Sequence, residues 1–128
     1  MSAASDYLEN ELLDHVLSAS TYASPATVYV GLFTSDPTDA GTGTEVSGGS
    51  YARESAGFAT ASGGSASTNA DITFTTATAN WGTITHVGIY DQSTGGNLLF
   101  HGAVTTSKTI ESGDTFQISS GNLTITLA

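Results

Sequence analysis

His86 and His101, two of the chain's three histidines, lie in one stretch, ANWGTITHVGIYDQSTGGNLLFHG (79–102), together with its only tryptophan, Trp81. Paired histidines can bind a metal ion or respond to pH. The stretch reads as a hairpin turning at DQSTGGN. If its strands pair symmetrically about that turn, Tyr90 faces Asn97, Gly88 faces Leu99 and His86 faces His101. Val87, Ile89, Leu98 and Phe100 then form the core face and the histidines share the outer one. A zinc site needs a third and usually a fourth ligand. The chain has no cysteine, and its remaining histidine, His15, reads as a helix-surface residue. The simpler expectation is two polar residues on an exposed or subunit-facing strand surface, with no metal site.

Other groups invite chemistry and give it little support. Trp81 with Tyr90 could form a platform for a sugar ring. A lone tryptophan at the start of a strand more readily covers one end of a core, its indole N–H bonded locally. Asp36, Asp39, Glu45 and Asp91 could hold calcium, but their spacing matches no compact calcium loop. No serine lies in a Gly-x-Ser-x-Gly elbow. GTGTEVSGG is rich in glycine yet lacks the lysine of a phosphate-binding loop. No enzyme is expected, with no catalytic residue and no cofactor. Arg53 and Lys108 are the only fixed cations. Surface ion pairs contribute under about 1 kcal/mol, whereas Arg53, beside a glycine-rich loop, could instead anchor a subunit contact.

The elements that must position these residues follow from composition and period. At 128 residues the chain fits one domain, residues 1–128, with an N-terminal arm and helix (1–20) and a β region (27–128). Abundant Ser, Thr and Gly favour short strands and turns. Residues 6 to about 18 form the one helix. Ser5 or Asp6 can cap it, and Glu9 completes a capping-box arrangement. Leu8, Leu12 and Val16 recur every fourth residue, and Leu13 and Leu17 widen the stripe, which must pack on the sheet or on a neighbour. TVYVGLFT (27–34) is apolar on both faces, as in an interior strand. A sixteen-residue loop (35–50) follows, of a length that often marks a contact surface. YARESAGFAT reads as a short strand, ASGGSASTNA as a flexible loop and DITFTT as another strand. A Gly113–Asp114 turn leads to two closing strands, TFQIS and NLTITLA, with Leu123, Ile125 and Leu127 on one face. The fold class expected is mainly β: a single antiparallel β-sandwich, jelly-roll or Ig-like, with one N-terminal helix.

Charge narrows the partners. With a formal net charge of −10, nucleic acid is an improbable partner and an anionic membrane surface repels the chain. The N-terminus lacks the basic start and apolar run of a signal peptide, and no apolar run reaches membrane-span length.

The segments SDYLENELLDHVL, PATVYVGLFTSDP, GTEVSGGSYARES, ANWGTITHVGIYD, GGNLLFHGAV and SGDTF together resemble a group of small tailed-bacteriophage virion proteins, labelled tail fibre protein or phage structural protein. TVYVGLFTSDP and WGTITHVGIYD are the most recognisable pieces. The resemblance implies a virion protein made in the host cytoplasm and brings no catalytic residues. Two roles follow from it. The first is a capsid decoration (cement) protein on the outer shell, favoured here because no fibrous repeat is visible. The alternative is a tail or fibre-associated component facing the receptor. A carbohydrate-binding module is a further alternative of another class. Expected partners are other virion proteins, either the major capsid protein or tail proteins, and sister copies in a homo-oligomer such as a trimer. The interface residues expected are Leu8, Leu12 and Val16 on the helix, Tyr51 and Arg53 beside the loop, and Tyr90.

Overall fold

The computed structural model describes residues 3–127, so the first two residues of the expected arm and the last of the closing strand lie outside it. The chain is mainly β and antiparallel, with one N-terminal helix, an architecture compatible with a β-sandwich. A short β1 (Ala3–Ala4) leads into α1 (Asp6–Leu17). Ser5 is the N-cap: its side chain accepts from the Leu8 N–H at 3.2 Å, the local device expected at a helix start. Its hydroxyl also donates to the Leu98 carbonyl and its N–H to that of Leu99, so the cap ties the helix to the sheet.

The main sheet holds β1, β7 (Leu98–Ile110), β6 (Gly82–Tyr90), β2 (Val28–Phe33) and β3 (Glu54–Ala56) in that order. Two two-stranded ribbons complete the fold, β4 (Ser65–Ser67) with β9 (Thr124–Thr126) and β5 (Ile72–Thr73) with β8 (Gln117–Ile118). Val30, Leu32, Ile84, Val87 and Ile89 from the sheet meet Ile72, Phe74 and Phe116 in the principal core, with Ile118, Leu123 and Ile125 packed against it. As its sequence requires, β2 is covered on both faces: Phe33 joins Tyr90 and Leu98 in a second cluster.

Several expectations are corrected. The β6–β7 hairpin is bulged. Ile89 pairs with Phe100 but Tyr90 with Leu98, so Leu99 is an extra residue, buried at the start of β7. Each side chain beyond the bulge changes face, which puts Leu98 in the second cluster and not with Val87 and Ile89. A larger irregularity sets Thr85 against residues 104–107. ASGGSASTNA is no simple loop, because it contains β4. The two closing strands, β8 and β9, each join an earlier strand. The long 35–50 loop is folded back on β2, with the Val46 N–H on the Leu32 carbonyl and both Val46 and Pro37 buried.

Candidate functional site

The densest polar construction lies where β2 loses its neighbour. β3 pairs with β2 only from Val28 to Val30, which leaves the Leu32 N–H without a ladder partner. The Tyr51 hydroxyl takes that place at 2.9 Å and donates its own hydrogen bond to Glu45 Oε2 at 2.6 Å. Arg53 grips the same carboxylate with two parallel bonds of 2.9 Å, Nε to Oε2 and Nη2 to Oε1. Its Nη1 donates to the carbonyls of Gln92 and Gly95 in the hairpin turn. The guanidinium carbon sits 3.5 Å from the centre of the Tyr90 ring, which stacks parallel to Phe33. One guanidinium thus joins the 45–53 loop, the hairpin turn and an aromatic stack, using the planar fork that a lysine lacks.

Two glycines make the space. A Cβ on Gly31 would stand 2.6 Å from Glu45 Oε2, and one on Gly88, directly opposite in β6, would meet Phe33 and Leu98 at 2.9 Å. Burial works against the Arg53 charge, but hydrogen bonding and attraction from Glu45 more than offset it and hold the guanidinium above its usual value. The Tyr51 phenol is pushed well up, first by burial and then by its bond to Glu45, with the Leu32 N–H and Arg53 opposing. Tyr90 is raised as well, by burial and then Glu45. The arrangement locks loops together; it holds no free base or nucleophile.

The other candidate groups are dispersed. His86 faces Ala103 and His101 faces Gly88, so the expected His86–His101 pairing does not form. The strands are offset by two residues from symmetric pairing, one at the turn, where Tyr90 meets Leu98 and not Asn97, and one at the Leu99 bulge. His86 Nδ1 is bonded to the Thr85 hydroxyl at 2.8 Å, while His101 Nε2 meets Asp39 at 2.7 Å. Trp81 is buried, with its Nε1 on the Gly49 carbonyl and its ring edge-on to Tyr51. It belongs to the principal core and Tyr90 to the second cluster, so they form no joint platform for a sugar. Glu45 is occupied by Arg53, and Asp91 caps Asn97 across the turn. Asp6, Glu9 and Asp39 do crowd together, all exposed, a grouping that the sequence did not suggest.

Among the residues expected at an interface, Leu8 is buried inside the chain, and Tyr51, Arg53 and Tyr90 are engaged in the network above. Leu12 is half-buried. Beyond the first helical turns the surface is open: Leu13, Val16 and Leu17 are 56%, 74% and 75% exposed. Two hollows open between the sheet and the ribbons. One, of about 500 Å³, is lined by Val104, Lys108, Ile118 and Leu123 among others. The second, of about 320 Å³, is walled by Phe58, Phe100 and Leu127, and both share Ile89 and Ile125.

Residues 3–126, nearly the whole chain, match the model of the Gp80 family, described as podophage GP4 fiber I protein gp80. The chain belongs to this family. No curated protein matches it.

Membership in the Gp80 family bears out the resemblance to small phage virion proteins and makes this chain a bacteriophage structural protein. Of the two expected roles, the family's identity as a fiber I protein favours the fibre alternative over capsid decoration. No helix among the described residues is long and apolar enough to cross a membrane.

Proposed function

We propose that this chain is a structural subunit of a phage fibre, working through surface contacts with other virion proteins and with its own copies, and carrying out no catalysis. The observation that carries the reading is the match to a fiber I protein along residues 3–126. It is supported by the use of the polar groups: the principal network of Arg53, Glu45 and Tyr51 is spent on joining loops. A fibre subunit must keep its surface loops in place under load, and a guanidinium held by five contacts across three segments serves that end. The outer shell, favoured on sequence alone by the absence of repeats, becomes the less supported location. A cryo-electron-microscopy map of the intact particle tests the proposal. Density for this chain in fibres attached to the tail is expected; density confined to capsomer junctions overturns it.

A further inference from the structure

Two surfaces of this chain stand open, an apolar helix face and a hollow lined by both apolar and polar side chains. The first is the far side of α1. Leu8 anchors the helix to the domain, and Leu17 stands nine residues on, about two and a half turns, hence on the opposite side. Glu9, Leu13, Val16 and Leu17 follow the i, i+4, i+7, i+8 spacing of a single face. A twelve-residue helix held to the domain mainly through its first turns is marginal by itself, so this face needs a cover. The second surface is the concave opening along β7. Among the described residues the outer edge of β7 pairs with β1 only at Phe100 and His101, and a hollow opens between β7 and the strands β8 and β9. None of the residues lining either hollow belongs to α1.

Charge selects the occupant. Glu9 heads the exposed helix face and is crowded by Asp6 and Asp39. Lys108 stands exposed at the larger hollow and forms no ion pair among the described residues, while Arg53, the only other fixed cation, is committed to Glu45. In a chain of net charge −10, contact between copies is opposed by repulsion unless this ammonium faces the acidic end of the partner. The reach also agrees. Glu9 to Leu17 spans about 12 Å of helix and Lys108 to Val104 at most about 13 Å of strand.

We infer that copies of this chain associate head to tail, the Leu13–Val16–Leu17 face of α1 of one copy seated in the hollow between β7 and β8–β9 of the next, with Glu9 against Lys108. The contact is heterologous, so it closes into a ring or continues as a filament. It deepens the fibre reading by naming the surface through which copies join, and it is read on purified protein, apart from any location in the particle.

The test is sedimentation velocity of the full chain over a concentration series. Wild type is expected to form oligomers. The double variant Val16→Asp/Leu17→Asp alters only exposed side chains and is expected to sediment as a folded monomer. Lys108→Glu is expected to weaken association by about a hundredfold, and Glu9→Lys added to it to restore most of the loss. Mixing the helix variant with Lys108→Glu/Thr106→Asp, which alters only exposed side chains at the hollow, each monomeric alone, pairs one intact helix with one intact hollow and should give a dimer and nothing larger. A monomeric wild type, an oligomer indifferent to the helix substitutions, or no dimer on mixing overturns the proposal. A monomeric protein that nonetheless lies in the fibre density leaves the fibre reading standing and sinks only this contact.

Discussion

Tyr51 replaces a missing strand. Its hydroxyl accepts from the Leu32 N–H and donates a hydrogen bond to Glu45, so the group is needed in its neutral form. Its folded pKa is raised above that of an unfolded tyrosine, near about 10. The stability it contributes is therefore complete below about pH 10 and is lost as pH rises beyond it, because the unfolded chain releases the proton first. Tyr51→Phe is expected to lose about 1–3 kcal/mol at pH 7 by leaving Leu32 and Glu45 short of a partner. Above about pH 10 the variant should decline less steeply than wild type, by up to about 1.4 kcal/mol per pH unit. Urea unfolding at pH 7 and at alkaline pH measures both; equal slopes would show that Tyr51 is not held neutral. Arg53 illustrates the limit of composition at this scale. Only two cations among twelve carboxylates implied that Arg53 would find a partner, but not that Glu45 would be it, nor that two turn carbonyls would share the guanidinium. Those partners lie across loops whose paths depend on Gly31 and Gly88 and leave no periodic trace.

At the scale of elements, Ser5 is the residue through which local and tertiary structure meet. It caps α1 and bonds β7 through both its hydroxyl and its N–H. Ser5→Ala keeps the last of these bonds and loses the cap and the bond to Leu98. A loss of about 1–3 kcal/mol is expected, with far-UV circular dichroism showing helix melting ahead of the sheet; coincident melting would mean that the cap is not what holds the helix. The helix was legible because a cap and a 3.6-residue period are local signals. The same holds for β2 and for the turn between β6 and β7. Register was not legible, since the turn shifts the second strand by one residue and the extra Leu99 by another, and the run of Leu98, Leu99 and Phe100 makes every face look apolar. β4 was missed because Ser65–Ser67 carries only small residues, whose pairing with β9 is specified by cross-strand Ser–Thr bonds of 2.9 Å and 2.7 Å. The helix stripe was read as one surface; the fold divides it, Leu8 inward and Leu13, Val16 and Leu17 outward.

Over the whole molecule, cohesion is uneven. β2, β6 and β7 hold the centre, where Val30, Leu32 and Ile84 are fully buried. The arm from α1 through residue 27 is joined mainly at its root, with the Tyr22 N–H on His15 Nδ1 closing it on itself. Regions with few buried apolar contacts open at a small fraction of the global unfolding free energy. Hydrogen exchange should therefore show three levels in dilute protein: slow amides at the centre, intermediate ones in the ribbons, and fast ones in α1 beyond Leu8. If the helix is the docking element between copies, raising the concentration should slow exchange in α1 and along β7 from Gly102 to Ile110 together, while leaving the centre unchanged. Slow exchange of α1 in dilute monomer would mean that the arm is already secured within its own chain. Protection gained in α1 alone would place its partner somewhere other than the β7 hollow. Coupled protection would tie the two open surfaces into one interface, with the marginal helix stable only when copies associate.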